Sequence, residues 1–431
     1  MNEEQELRDR LEAVNVPPSR IEMDVVVRAG RQRAFRRRSV QASGGVALAA
    51  AMLLTVPSIL TRAGAQPAVE AGAGPASASA GATALARPAG PCRMTELPVP
   101  SGMKDVHVTG VDPTGKYFVG RNVVGQDFQP ILWTDGQPQA LPEQGKSVEV
   151  AAVNASGVVV GTVWTPQEEY VFRYENGAYT RLHTPPGSWH PYPDPAINAA
   201  GDVIINVEPS GNTGGEDSIV LLWKAGSTTA ITLPLPAEAN AYDITDDGTI
   251  VGGIYKDRFV AEAYAWDQQG NGRKLELPTG HRGVAHAARG DWATGSMGPP
   301  WSVADRNNSK PPPTPDSALW NLKTGEVIKL GTRQGPGSAV NASGWVVAAS
   351  GSVLRDGATV DLAVPNGQTS SAAAVSDTGL VVGQALTSRR YPNPKTRPGA
   401  DGVGAAGAGL RAGLVAEIKG GKNLGPRMWR C

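Results

Sequence analysis

The sequence offers few residues whose types and spacing could support catalysis or metal binding. Its five histidines, at positions 107, 183, 190, 281 and 286, form no HExxH pattern and no Cys/His spacing typical of a metal site. No GxSxG motif is present. The GVGAAG stretch at Gly402 does not follow a predicted strand or open a βαβ unit, so it does not predict a nucleotide site. We therefore expect no catalytic residues, no metal site and no cofactor.

Aromatic and basic residues that suit recognition are concentrated in long segments between predicted strands. These segments are His183 to Pro195, Gly298 to Pro315 and Ser388 to Gly409. Aromatic rings beside guanidinium groups suit carbohydrate stacking, anionic groups or a protein partner. The predicted ligand-binding residues are Trp189, His190, Tyr192, Trp301, Arg389, Arg390 and Tyr391. The alternative is that these loops vary because folding tolerates their growth.

A repeated phrase identifies the elements that must position these residues. Ten residues from Ala152, AVNASGVVVG, return from Ala339 as AVNASGWVVA. Further copies start at Gly110, Ala196, Asp243 and Ala374, and a degraded copy, HAARGDWATG, starts at His286. The shared glycines are Gly115, Gly157, Gly201, Gly248, Gly290, Gly344 and Gly379. Their mean spacing is about 44 residues, the period of propeller blades.

Each copy continues as a unit of four short strands. An Asn, Asp, Ser or Thr three residues before Gly suits a tight hairpin, because its side chain can bond the turn and Gly accepts positive φ. An apolar run follows, and the third segment ends in an aromatic residue in five copies, at Trp133, Tyr174, Trp223, Trp266 and Trp320. Four-stranded units at this period predict an all-β fold, a seven-bladed β-propeller over residues 92–431.

The pattern resembles the HAF-repeat family of extracellular β-propeller proteins over Cys92 to Cys431. The Asn-x-x-Gly turn, the apolar run, the third strand ending in Trp and the Leu-containing fourth strand carry the resemblance. The His-Ala-Phe of the family is not kept, and the closest copy reads Glu262 to Trp266, EAYAW. The resemblance implies an extracytoplasmic propeller and supplies no catalytic residues.

The first 91 residues predict a tail, an anchor and a linker. Residues 1–43 are rich in arginine, residues 44–61 are mainly apolar and near the lower limit for a membrane-spanning helix, and residues 62–91 are rich in Ala, Gly, Pro and Ser. The arginine excess before the apolar segment predicts a single-pass anchor with a cytoplasmic N-terminus and an extracytoplasmic propeller. The alternative is a signal peptide cleaved near Ala65, after which the propeller is secreted.

The two cysteines predict how the propeller closes. Cys92 follows the linker and Cys431 ends the chain, and a disulfide between them is the natural expectation in an exported protein. Met94 to Pro100 resembles the fourth-strand segments and is a candidate to close the last blade. The tail from Lys422 is expected to lie beyond the last third strand, and which terminal segment takes the closing position stays open.

Charge and architecture leave three functional hypotheses. The 40 basic and 40 acidic residues cancel, which gives no whole-chain field for nucleic acid. The first hypothesis is a membrane-tethered, non-catalytic binding or scaffold module for an envelope glycan, peptide or protein. The second is a propeller hydrolase or lyase with an axial active site. The third is a signalling or assembly component in which the cytoplasmic tail acts together with the propeller.

Overall fold

The computed structural model describes residues 92–210, 217–256, 259–301, 305, 313–330, 335–348, 351–387 and 422–431. Within these ranges no helix is long and apolar enough to cross a membrane. The predicted tail, anchor and linker lie outside the described residues.

The described residues confirm an all-β, seven-bladed propeller of four-stranded antiparallel blades. Blade 1 is β2 (Val106–Val111), β3 (Tyr117–Val124), β4 (Asp127–Thr134) and β5 (Gln137–Ala140). Blade 2 is β6 (Ser147–Val153), β7 (Val159–Trp164), β8 (Glu169–Glu175) and β9 (Ala178–Leu182). Blade 3 is β10 (Trp189–Ile197), β11 (Val203–Pro209), β12 (Ile219–Trp223) and β13 (Ile231–Thr232). Blade 4 is β14 (Ala239–Ile244), β15 (Ile250–Lys256), β16 (Phe259–Trp266) and β17 (Gly272–Lys274).

The remaining three blades complete the ring. Blade 5 is β18 (Arg282–Arg289), β19 (Trp292–Gly298), β20 (Asp316–Asn321) and β21 (Val327–Leu330). Blade 6 is β22 (Gly337–Val340), β23 (Val346–Ala348), β24 (Ser352–Arg355) and β25 (Ala358–Asp361). Blade 7 is β26 (Gln368–Val375), β27 (Leu380–Thr387), β28 (Asn423–Arg430) and β1 (Arg93–Glu96). The first strands of successive blades contact each other, and β26 contacts β2, so the ring is closed.

Both chain ends build blade 7, and the structure decides their order. β1 is the outer strand and pairs with β28, so the N-terminal segment takes the closing position. The tail prediction is wrong in one respect: Asn423–Arg430 is itself the third strand, because its apolar residues pair with β27 inside the sheet. The disulfide is confirmed, since Cys92 and Cys431 are bonded across 339 residues.

The Asn of the repeated phrase serves two turns at once. Asn154 Oδ1 accepts the backbone N–H groups of Ser156 and Val158, both at 3.0 Å, as the sequence predicts. Its Nδ2 also donates to the carbonyl of Asn198 in the next blade, at 3.2 Å. Asn198 and Asn341 bond the following blades in the same way. In these three blades the asparagine therefore fastens its turn to the turn of the next blade, a role that the sequence did not reveal.

A second glycine in the repeat is required by a close backbone approach. In five blades a β-bulge in the first strand brings a carbonyl oxygen against a glycine of the second strand. A Cβ at Gly161, for example, would lie 2.0 Å from the oxygen of Glu149. The other four glycines are Gly120, Gly252, Gly295 and Gly383. Only glycine fits such a contact.

In four blades a tryptophan near the end of the third strand anchors the blade to the connection before it. Trp133, Trp223, Trp266, Trp320 and Trp429 are at most 2% exposed. Four of these indoles donate to a backbone carbonyl of the connection that leads from the preceding blade, at Pro98, His183, Glu276 and Ala363, over 2.7–3.0 Å. Each contact combines a large buried area with a satisfied N–H group.

Candidate functional site

The ring has two unlike ends. We call the end formed by the turns between first and second strands the hairpin face, and the opposite end the loop face. Connections between second and third strands emerge on the loop face, and they are long in blades 3, 5 and 7, at residues 210–218, 299–315 and 388–422. In blades 1 and 4 the same connection is only 125–126 and 257–258. The long connections of blades 3, 5 and 7 are therefore separated from one another by blades with short connections.

Two of the predicted ligand-binding residues start a strand on the loop face. Trp189 and His190 begin β10, so the loop before it spans only 183–188, shorter than the sequence indicates. The Trp189 indole N–H points back to the carbonyl of Pro186 at 3.4 Å, and its ring packs on the core between blades 2 and 3. His190 Nδ1 lies 3.2 Å from Oε2 of the buried Glu169. Burial raises the pKa of Glu169, and the contact with His190 opposes this rise.

Tyr192 lies inside the ring. It is 8% exposed, and its hydroxyl donates to Oδ1 of Asn240 in blade 4 at 3.0 Å. Desolvation raises the pKa of the phenol above its ordinary value. This side chain therefore joins blades 3 and 4 and offers little surface to a ligand on the loop face.

The other predicted residues lie apart from this group. Trp301 follows β19 in blade 5 and makes an edge-to-face contact with Phe259 of blade 4, with ring centroids 6.2 Å apart. Arg389, Arg390 and Tyr391 lie outside the described residues. Among the described residues, Trp189 and His190 are neighbours, whereas no contact joins them to Trp301.

Blades 7, 1 and 2 share a buried polar cluster that the sequence reading missed. Nε2 of His107 lies 3.0 Å from Asp105 and 3.1 Å from Asn423, while its buried Nδ1 has no hydrogen-bond partner. Burial lowers the pKa of His107, and Asp105 opposes the change. Arg121, directly opposite His107 on β3, contacts Glu149 of blade 2. Only the bulges and strand register bring these residues together.

A second titratable group lies on the bulge of blade 5. His286 is 3% exposed, and its ring meets that of Tyr242 edge-on, with centroids 5.4 Å apart. The Tyr242 hydroxyl lies 2.6 Å from that of Tyr255. Desolvation lowers the pKa of His286 to about 4, so the imidazole is neutral near pH 7.

A cavity of about 110 Å³ lies on the ring axis at the hairpin face and is lined by all seven blades. Its deeper wall consists of small side chains on the bulges, including Thr109, Ala151, Ser338 and Ala373. Its charged rim residues are bonded to one another: Arg289 contacts Asp246 and Asp377. No group of three or more His, Cys, Asp and Glu side chains within the described ranges could hold a metal ion.

Comparisons with known proteins show no family and no activity for this chain. No family model matches the sequence, and no curated protein matches it significantly. A solved oligogalacturonate lyase in complex with manganese is 10% identical with a TM-score of 0.41, over 70% of this chain and 80% of that one. TolB from Acinetobacter baumannii is 11% identical with a TM-score of 0.37, over 67% of this chain and 63% of that one. TolB from Agrobacterium tumefaciens is 14% identical with a TM-score of 0.32, and the match spans 40% of this chain and 64% of that one.

Proposed function

We propose that this protein is a membrane-tethered, extracytoplasmic propeller that binds an envelope glycan, peptide or protein through its loop face without catalysis. The HAF-repeat resemblance supports the extracytoplasmic location of the propeller, and the N-terminal apolar segment serves as the tether. The TM-scores of the solved propellers are too low to favour a binding or a catalytic role.

The observation that carries this proposal is the difference between the two faces. On the hairpin face, short turns are fastened together by Asn154, Asn198 and Asn341. On the loop face, blades 3, 5 and 7 carry long connections, although the two-residue connection of blade 1 shows that the fold needs no extra length there. Surface loops held by a rigid scaffold are the usual location of binding residues.

Shortening the loops tests the proposal directly. The full chain, in detergent, is incubated with purified envelope polysaccharide, peptidoglycan fragments and solubilised envelope proteins, and binding is measured for each fraction. In the variant, residues 299–315 and 388–422 are each replaced by the Gly125–Gln126 turn of blade 1. We expect at least one fraction to bind the unmodified chain and to lose binding to the variant.

A substitution on the opposite face provides the control. Ala155→Arg places a large charge on the exposed rim of the hairpin face, and it should leave loop-face binding unchanged. Equal binding by the unmodified and the shortened chains would refute the proposal. Loss of binding in the Ala155→Arg variant would show that the binding surface lies on the hairpin face.

The Asp105–His107 pair is the observation behind the second candidate, a propeller hydrolase or lyase; the pair lies where blades 7 and 1 meet and is not among the residues that line the axial cavity. A histidine held by a carboxylate on one nitrogen, with the other nitrogen unpartnered, is an arrangement that general bases use. Ester, glycoside and uronide substrates assayed with the full chain and with His107→Gln test this role. A turnover that His107→Gln abolishes would support the enzyme, whereas turnover that is equal in both or absent from both excludes it.

A further inference from the structure

The turn of blade 5 departs from the repeat at the residue that faces the axis. In the strand register, Ala288 pairs with Ala293 as Val153 pairs with Val159 in blade 2. Arg289 therefore takes the position that Asn154 occupies, and the blade 5 turn is one residue shorter. When HAARGDWATG is aligned with the other copies on its glycine, Arg289 does not fall opposite the asparagines, so the sequence alone does not show this substitution of Arg for Asn.

Arg289 makes contacts that none of the turn asparagines makes. Its Nη1 donates to Oδ2 of Asp246 in blade 4, and its Nε donates to Oδ2 of Asp377 in blade 7 at 3.0 Å. The asparagines bond the adjacent blade, whereas this side chain passes blade 6 and reaches across the axis. Arg289 thus links blades 4, 5 and 7 at the mouth of the axial cavity.

Each of the two carboxylates also accepts a backbone N–H group from a neighbouring blade. The second oxygen of Asp246 accepts the N–H of Ala199 at 2.8 Å, and that of Asp377 accepts the N–H of Ala342 at 2.8 Å. These backbone bonds orient the two acceptors toward the axis. Arg289 therefore spans two carboxylates that backbone N–H groups orient.

The cavity lies beside this bridge. Arg289, Asp246 and Asp377 form part of its rim, and the small side chains of Ala151 and Ala373 line it further along the axis. The side chains of Arg289, Asp246 and Asp377 are 24%, 40% and 28% exposed. Ion pairs at this exposure are weakened by salt.

We propose that Arg289 is a salt-sensitive bar across the hairpin-face mouth of the axial cavity. With the bar in place, small solutes do not enter the cavity from this face. When salt screens the two ion pairs, the side chain swings out and the cavity opens. The cavity is thus a conditional site for small solutes, separate from the proposed binding surface on the loop face.

Thiol labelling measures the opening. Ala151→Cys places a thiol on the cavity wall of the full chain, where position 151 is 3% exposed. Its rate of reaction with iodoacetamide is compared with that of Ala263→Cys, a position that is 0% exposed inside blade 4 and reports global unfolding. Adding Arg289→Gln should raise the rate at position 151 about tenfold, the factor that corresponds to about 1.4 kcal/mol, and leave the rate at position 263 unchanged.

Two further variants distinguish loss of the Arg289 bridge from a general loss of stability. Arg181→Gln breaks the exposed bidentate pair with Glu168 on the loop face, with the same charge change, and should not alter labelling at position 151. Asp377→Asn, which is isosteric, should raise labelling, and it serves if Arg289→Gln fails to fold. Salt should accelerate labelling of the chain that keeps Arg289 and have little effect without it. Equal rates with and without Arg289, or rates that rise together at positions 151 and 263, overturn the proposal.

Discussion

Removing the Cys92–Cys431 disulfide should destabilise the propeller mainly through its unfolded state. The bond joins residues 339 positions apart, and the chain-entropy relation gives a ceiling of about 6 kcal/mol for such a loop. The folded closure has other contacts: Leu97 is 3% exposed, and its N–H donates to the carbonyl of Pro426 at 3.2 Å. We therefore expect β1 to stay docked and the free energy of unfolding to fall by about 2–6 kcal/mol.

Urea denaturation of a Cys92→Ala/Cys431→Ala variant measures this loss. Alanine is preferred to serine because Cys92 is 2% exposed and a buried hydroxyl would add its own cost. With a urea dependence of about 3 kcal/mol/M, a loss of about 4 kcal/mol lowers the midpoint by about 1.3 M. Hydrogen exchange at the amides between β1 and β28 reports in parallel whether the closing strand remains paired.

The single variants provide the control. Either single replacement breaks the bond, so both should match the double variant, and any difference between them isolates the packing of the individual side chain. An unchanged midpoint would refute the entropic argument. A large loss accompanied by fast exchange throughout β1 would instead show that the bond holds the folded strand in place.

Three further predictions concern the interior of the ring. Because burial lowers the pKa of His286 to about 4, the unfolded chain takes up its proton first as the pH falls. The free energy of unfolding should drop by about 3 kcal/mol from pH 6.5 to 4, and His286→Gln should flatten this part of the urea-denaturation profile. Asn154→Asp keeps the acceptor of its own turn but loses the donor to the next blade, so urea titration should show a loss of about 1–3 kcal/mol; an unchanged midpoint would contradict the inter-blade role. Gly161→Ala, whose Cβ would lie 2.0 Å from a backbone oxygen, should lose at least about 3 kcal/mol. Gly177→Ala, with no atom within 4 Å of its Cβ, should lose about 1 kcal/mol, and urea titration measures both glycine variants.

The repeat made the architecture predictable. A period, a turn signal and a buried aromatic residue recur in each unit, and every unit must bury both faces of its sheet against neighbours. The positions of Trp133, Trp223 and Trp320 at the ends of third strands followed from this pattern alone. The pairing of Cys92 with Cys431 also followed, because a ring brings its two ends together.

The chemistry of the interior was not predictable in the same way. No motif or spacing in the sequence singles out His107 or Arg121. They contact Asp105 and Glu149 only through strand pairing and the packing of neighbouring blades. The sequence places Tyr192 in a proline-rich loop. In the structure this proline-rich segment forms an irregular first strand, and Tyr192 is buried against Asn240. A one-residue change in register moves a side chain from the surface to the interior.

The sequence by itself determined what repeats: the number of blades, the strand order of blades 1 to 6, the turn residues and the meeting of the two chain ends. Local hydrogen bonding and hydrophobic burial decide these features, and each copy of the repeat contains the turn residues and apolar runs that produce them. Only the tertiary structure decided what differs between copies. Arg289 replaces an asparagine, and it reaches Asp246 and Asp377 because the closed ring places residues far apart in the chain around one axis. Distances across that axis are set by all seven blades together, so no single segment of the sequence encodes them.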